Sequence, residues 1–362
     1  MMAALACRDC GRTYAGGVDE PWRCTCGHAL DFAERPLPDH GPDAVDPKRG
    51  LWAFEEFVPV SPEVTFDEGW TPLTRSETWD AQFKLDYCFP SGSYKDRGAT
   101  ALLSRAAELG VERVLEDSSG NAGAAVAQYA ARAGIDARIF VPADAKPAKL
   151  RAIEASGADV VQVEGTRQDV TDACVDAVEA GEGWYASHAW NPAFFAGTST
   201  FAFEVAAQRD WQVPDAVVLP LGHGTLFLGA YRGFRALHDA GWVDSVPRLL
   251  GVQAAGVAPI AAELHGTGAA LGDNAVADGV QIAEPARKDQ ILDAIDDTDG
   301  DAIALDADPT ADALDALHEA GFYVEPTSAI AVAGLDTYRE RGVVDADDDV
   351  VVALTGHGLK GE

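Results

Sequence analysis

Short apolar runs alternate with amphipathic stretches along most of this chain, and that alternation leaves few folds open. Arg113–Glu116, Ala137–Val141 and Asp159–Val163 read as strands, too short for helices and bounded by turn residues. Around them, Arg97–Leu109, Ala122–Ala133, Lys146–Ser156 and Asp169–Ala180 read as helices. Further on, Ala216–Pro220, Arg248–Gln253 and Val350–Thr355 are near-continuous apolar runs of strand length. A strand with no polar face is covered on both sides, and strands that return through helices pair in parallel. The expected class is therefore α/β, with parallel sheets between helical layers. No repeat of solenoid length is present.

With 362 residues, 47% hydrophobic and 24% charged, the chain can bury two or three ordinary cores and is neither disordered nor collagen-like. Runs such as Val350–Leu354 fall far short of a membrane span, and no basic start leads into an apolar leader. A soluble, cytoplasmic protein with no membrane partner is expected. Charge is the unusual bulk property: 59 acidic residues against 27 basic ones give a net −32. Acids cluster at Asp293–Asp301 and Asp345–Asp349. Such self-repulsion is costly in dilute buffer and screened in concentrated salt, so the composition reads as halophilic. An ordinary protein with acidic loops is the other reading. Nucleic acid, itself a polyanion, is excluded as a partner.

Four of the six cysteines fall within twenty residues: Cys7 and Cys10, then thirteen residues, then Cys24 and Cys26. Two close pairs of thiolates on turns suit a structural tetrahedral zinc site, and Gly11 and Gly27 supply permissive backbone after each pair. His28 could replace one thiolate, and a vestigial, metal-free module is the alternative. A stretch with Pro36, Pro38, Pro42 and Pro47 follows and reads as an extended linker.

Five segments carry chemistry. Ser91-Gly-Ser-Tyr-Lys95-Asp-Arg-Gly98 places a lysine in a polar turn just before a helix. Ser118-Ser-Gly-Asn121-Ala-Gly123 follows a strand and opens a helix, where backbone N–H groups favour a carboxylate. Pro220-Leu-Gly-His-Gly-Thr-Leu226 makes a similar turn suited to a phosphate, although close packing alone also favours such glycines. Glu325-Pro-Thr-Ser-Ala329 looks like a helix start. Thr355-Gly-His-Gly-Leu-Lys360 puts a hydroxyl at the carboxyl end of the last strand, the end where parallel sheets bind ligands.

In this order the five segments resemble the fold-type II pyridoxal-phosphate (PLP) enzymes, and within them the threonine synthase family, many of whose members carry a cysteine-bearing head. The resemblance implies two three-layer αβα domains preceded by a small four-cysteine zinc-ribbon-like module. It implies a ribbon at 1–32, a linker at 33–50, a small domain at 88–185, and a large PLP-binding domain from 51–87 and 186–362. PLP would lie in the cleft between those domains, and a homodimer is expected. Lys95 would hold PLP as an aldimine and, once freed, act as the base at Cα. Asn121 would hydrogen-bond the 3′-oxygen. Gly222, His223, Gly224 and Thr225 would bind the cofactor phosphate, and Thr355 would face the pyridine nitrogen. A neutral hydroxyl there holds no proton on the ring as a carboxylate would, which favours elimination and replacement over transamination. Ser119, Gly120 and Ala122 would bind the carboxylate of a small amino-acid substrate. The ribbon ligands would be Cys7, Cys10, Cys24 and Cys26.

The reaction implied is conversion of O-phosphohomoserine and water to threonine and phosphate. Three segments depart from the family pattern: the Gly-rich loop lacks the usual Gly-Asn, Pro90-Ser-Gly-Ser93 changes mildly, and Phe194 stands where an Arg is usual and Ser199 where a Lys is usual. An aromatic there argues for a less charged substrate, and so for a paralogous serine/threonine ammonia-lyase or β-replacement enzyme. Lys84, Arg97, Lys146, Lys149 or Arg151 would otherwise have to supply the charge that a phosphate needs. Lys84 and Arg97 also read as structural ion-pair partners, His188 and His357 as satisfied structural histidines, and Cys88 and Cys174 as buried small residues. If the acidity is a salt adaptation, the thermal midpoint rises as KCl is raised from dilute to molar; a level or falling midpoint identifies an ordinary acidic protein.

Overall fold

The computed structural model describes residues 2–361. Its first strands are β1 (Leu5–Cys7), β2 (Thr13–Tyr14), β3 (Leu30–Phe32), β4 (Leu73–Ser76), β5 (Ala81–Leu85) and β6 (Arg113–Glu116). Then follow β7 (Asp136–Pro142), β8 (Asp159–Val163), β9 (Trp184–Tyr185), β10 (Ala216–Pro220), β11 (Arg248–Ala254), β12 (Asp301–Leu305) and β13 (Val350–Leu354). The helices are α1 (Lys95–Glu108), α2 (Asn121–Ala133), α3 (Pro147–Ala155), α4 (Arg167–Glu179), α5 (Pro192–Thr198) and α6 (Thr200–Ala207). They continue as α7 (Thr225–Asp239), α8 (Pro259–His265), α9 (Lys288–Asp297), α10 (Ala307–Glu319) and α11 (Pro326–Glu340). By contacts the chain forms two compact units. One holds residues up to 40, 44–69 and 95–198; the other holds 41–43, 70–94 and 199 onward.

The first unit contains a small antiparallel sheet, β2-β1-β3, and a parallel sheet ordered β8-β7-β6-β9. The apolar periodicity of α1 and α2 delivers Leu102, Leu103, Ala106, Val126 and Tyr129 to a core shared with Val114 and Ile139. Helix α2 ends at Gly134, whose φ of 69° is the left-handed cap that a side chain would resist. Helix α4 starts with a reciprocal capping box between Thr166 and Asp169.

The second unit contains one sheet, β12-β11-β10-β13-β5-β4, parallel except for the antiparallel edge strand β4. Helix α11 buries Ile330, Val332, Leu335 and Tyr338 against Val218, Val252, Ile303 and Val352. The Tyr338 hydroxyl donates to the Gly251 carbonyl at 2.7 Å, so even this core phenol is satisfied. Lys84 on β5 is fully buried, with its ammonium 2.7 Å from Glu204, from the Thr71 carbonyl and from Gln208. It is a structural ion-pair residue.

The α/β alternation read from the sequence is present, with boundaries moved by one or two residues at most elements. Three expectations change. Residues 33–50 are not simply extended: short 3₁₀ turns occupy Pro42–Ala44 and begin again at Pro47, where Asp46 accepts from the Lys48 N–H at 3.1 Å. The large sheet is not wholly parallel, because β4 pairs antiparallel with β5. Cys88 is exposed, whereas Cys174 is buried as expected.

The Cys-bearing module is fastened to α1 by one arginine. Arg105 is fully buried, and its guanidinium meets Glu20 at 2.5 and 3.3 Å, the Ala3 carbonyl at 2.9 Å and Glu108 at 3.2 Å. Removing one partner of a buried pair strands the other, a loss of about 3–5 kcal/mol. Arg105→Ala should lower unfolding stability by about that amount in chemical denaturation; a loss below about 1 kcal/mol would mean that the clamp does not hold the module.

Candidate active site

In the first unit, Lys95 is the first residue of α1 and is half-buried. Helix α1 is placed by an exceptionally close approach of α5. A Cβ on Gly98 would lie 2.3 Å from the Phe194 ring, and one on Gly197 would lie 2.0 Å from the Arg97 carbonyl oxygen. Phe194 is therefore a core residue with no exposed surface, packed on α1. The expectation that its ring signals an apolar substrate is corrected: packing accounts for it. Ser199 is likewise buried, at the start of α6. Among the other cations weighed for a substrate phosphate, Lys146 and Arg151 are exposed, Arg97 is fully buried, and the side chain of Lys149 lies outside the described residues.

Asn121 opens α2, with Gly120 as its cap. The Gly120 N–H donates to the Ser118 hydroxyl at 3.3 Å. Ser119, Gly120 and Asn121 are half-buried, whereas Ala122 is buried. Glu116 and Asp117, just before this turn, were given no role by sequence reasoning. Asp117 accepts from Thr171 at 2.6 Å and Tyr185 at 3.0 Å, and Glu116 meets His188 at 2.7 Å.

In the second unit, Gly222, His223, Gly224 and Thr225 form the turn from β10 into α7. Gly224 caps the helix at φ 76°, and a Cβ there would lie 2.5 Å from Ile291. The Thr225 hydroxyl sits 2.7 Å from the Tyr94 hydroxyl. Thr355 follows β13 and is almost fully buried. It is organised by Ser328, a residue of the Glu-Pro-Thr-Ser segment that the sequence marked but gave no task. The Ser328 hydroxyl accepts from the Thr355 N–H at 2.9 Å and the Gly356 N–H at 3.0 Å, and lies 3.2 Å from the Thr355 hydroxyl. The Thr355–Lys360 segment also straps the turn that leads to Lys95. Tyr94 N–H donates to the Thr355 carbonyl, His357 N–H to the Gly92 carbonyl, and the Lys360 ammonium to the Ser91 carbonyl. His357 is a loop-fixing residue: its Nδ1 accepts from the Leu359 N–H at 3.2 Å.

The four sulfurs of Cys7, Cys10, Cys24 and Cys26 lie within 4.8 Å of one another. The Cys7–Cys26 and Cys10–Cys24 distances are 3.6 and 3.5 Å, close to the edge of about 3.8 Å that a zinc tetrathiolate has. Gly11 and Gly27 have φ of 71° and 94°. The Cys26 N–H, and then the Tyr14 hydroxyl, draw the Cys24 thiol down to about 6, while, against the His28 N–H, the Cys24 side chain pushes Cys26 up to about 12. His28 stands beside this group, 3.5 Å from the Cys26 sulfur and 3.4 Å from Asp9.

A lysine leading one helix and a backbone cradle leading another, each beside a parallel sheet, suit an enzyme of the PLP-dependent class. Residues 64–356 match the family model described as "Pyridoxal-phosphate dependent enzyme". Threonine synthase of Methanocaldococcus jannaschii is 34% identical over 98% of this chain and 92% of its own. That of Methanosarcina acetivorans is 33% identical over 99% of this chain and 92% of its own. Among solved structures, the processed form of threonine deaminase isoform 2 from Solanum lycopersicum superposes with a TM-score of 0.70 at 21% identity, covering 89% of this chain and 86% of its own; that likeness is one of fold. The chain belongs to the fold-type II PLP-dependent enzymes and, within them, to the threonine synthase family. No helix among the described residues is long and apolar enough to cross a membrane.

Ser328→Ala would leave two buried N–H groups without an acceptor, at about 1–3 kcal/mol each. It should lower stability and weaken PLP retention together, measured by denaturation and by cofactor absorbance on dialysis. Unchanged retention in a destabilised protein would separate Ser328 from the cofactor site.

Proposed function

We propose that the protein is a threonine synthase that converts O-phosphohomoserine and water to threonine and phosphate. The observation that carries this reading is the match to threonine synthases along virtually the whole chain, Cys-bearing module included. PLP, when bound, supplies an electron sink for charge developing at the substrate Cα. The residues present fit it: the turn from β10 would offer a phosphate the N–H groups opening α7, beside the Thr225 hydroxyl 2.7 Å from that of Tyr94. Asn121 would donate to the cofactor's phenolate oxygen. The Thr355 hydroxyl, held by Ser328, would meet the ring nitrogen without giving it a full proton. Ser119, Gly120 and Ala122 would hold the substrate carboxylate at the start of α2. Lys95 would carry the cofactor and move the proton at Cα.

The same reading includes structural zinc on Cys7, Cys10, Cys24 and Cys26, a homodimer, and work in a salt-rich cytoplasm. A second reading, an ammonia-lyase or β-replacement enzyme for a small amino acid, is not favoured over it: neither Phe194 nor Ser199 offers a cation, but both are buried, and packing on α1 accounts for Phe194.

Purified protein in concentrated KCl with PLP should release phosphate and threonine in equal amounts from O-phosphohomoserine, and Lys95→Ala should not. The same sample should hold about one zinc per chain, filling one four-thiolate site, and behave as a dimer in light scattering. Absence of phosphate release, with 2-oxo acid formed from serine or threonine, would establish the second reading instead.

A further inference from the structure

Glu116 ends β6 and His188 follows β9, and these two strands pair in parallel. The acid and the imidazole therefore stand side by side at the carboxyl ends of neighbouring strands, the end at which such sheets bind ligands. His188 Nδ1 is 2.7 Å from Glu116 Oε1. Glu116 has no exposed surface, whereas His188 keeps 5%. The other oxygen of Glu116, Oε2, is buried with no hydrogen-bond partner among the described residues. Asp117 next to it is fully engaged by Thr171 and Tyr185. The pair thus consists of a deeply buried carboxyl behind a histidine that retains some access.

The pair also lies within electrostatic reach of Lys95. Burial, and then the charge of Asp117, push the Glu116 carboxyl well above the usual carboxylate range; Arg167, the His188 N–H and Lys95 oppose that rise. Whichever of the two holds the acid proton, Glu116 at Nδ1 leaves Nε2 as the nitrogen that faces away from it. A carboxylate bound at Nδ1 fixes ring orientation and directs proton traffic through Nε2.

Resting on the amino-acid reading above, we propose that His188, oriented by Glu116, is a further acid–base residue of this site and moves a proton at the ligand's Cβ, while Lys95 serves Cα. In this step the Cβ–H bond would break, the proton would go to His188, and the electron pair would stay on the ligand, for which PLP, when bound, would supply the electron sink. The reverse step returns a proton that has exchanged with solvent. Glu116 is a positioning residue in this scheme.

The test uses PLP-loaded, full-length protein in D2O with L-2-aminobutyrate, which carries no leaving group, and follows loss of the Cα and Cβ proton signals by NMR. The wild type should exchange both. His188→Asn should keep Cα exchange within about threefold and lose about a hundredfold at Cβ, the scale of a general acid–base group. In the wild type the ratio of Cβ to Cα exchange should rise with pD through one midpoint. Glu116→Gln, which removes the carboxylate that stabilises the imidazolium, should move that midpoint down by about one unit. The charged and titratable groups facing the pair are Asp117, Arg167, Lys95, Cys174 and Tyr185, and all of them remain in both variants. Equal losses at both carbons, unchanged Cβ exchange in His188→Asn, or a pD-independent ratio in the wild type would overturn the proposal. The last measurement requires no variant to fold. Wild-type exchange at Cα without Cβ would overturn it and leave the amino-acid reading standing; exchange at neither carbon would overturn both.

Discussion

The close approach of α1 and α5 is the constraint on which the first unit depends. Lys95 leads α1, and in the proposed reaction its amine would serve one carbon of a ligand, so that helix must be fixed to within a fraction of an ångström. Two glycines make this possible from opposite sides, Gly98 under the Phe194 ring and Gly197 over the Arg97 carbonyl. Neither position has room for a methyl group, so the packing resists drift. The same helix is anchored further along by Arg105, whose guanidinium reaches Glu20 and the Ala3 carbonyl in the Cys-bearing module. A module that contributes no residue to the proposed chemistry thereby takes part in positioning the helix that does.

The second unit solves a different problem with hydroxyl groups. In the proposed site Thr355 would present an oxygen to the ring nitrogen without protonating it, and a lone threonine at a strand end would rotate freely. Ser328 removes that freedom. Its oxygen takes the N–H groups of Thr355 and Gly356, leaving its own proton for either the Thr355 hydroxyl at 3.2 Å or the Gly356 carbonyl at 3.3 Å. A serine that donates to Thr355 leaves the threonine proton available for the nitrogen. The Glu-Pro-Thr-Ser segment is thus tied to the last strand by hydrogen-bond direction, and helix packing of α11 on the sheet holds the arrangement rigid.

Much of this was legible in the sequence because it is local. Strands β6, β8 and β10 coincide with apolar runs, and the turns that open α2 and α7 announce themselves by Gly, Asn and Thr. Strand β4, Leu73–Ser76, was not legible: it is a half-exposed edge with no clean alternation. The turns within 33–50 were masked by four prolines that suggested extension, although Asp46 and Pro47 together make a helix start. Phe194 was misread for a physical reason. A position where the family resemblance implies an Arg invites a reading in terms of substrate, and only the missing Cβ of Gly98, ninety-six residues away, shows that its size is set by packing. Glu116 went unnoticed because an acid at the end of an apolar strand looks like a boundary, and its partner lies seventy-two residues downstream.

The Glu116–His188 pair bears on the substrate as well. A phosphorylated substrate brings negative charge to a protein whose net charge is already −32, and a buried carboxylate near the site would repel it. A carboxyl and an imidazole that hold one proton between them carry no net charge, whichever of the two bears the proton. Burial of Glu116 favours that state over a lone anion. The acid is therefore compatible with an anionic substrate only as a member of the pair. By the same reasoning Lys84, neutralised by Glu204, brings no net charge to a substrate, and the attraction that binds a phosphate falls to backbone N–H groups at helix starts and to cations nearer the surface. In so acidic a chain, concentrated salt would then act twice, screening the surface acids from one another and weakening their long-range repulsion of the substrate.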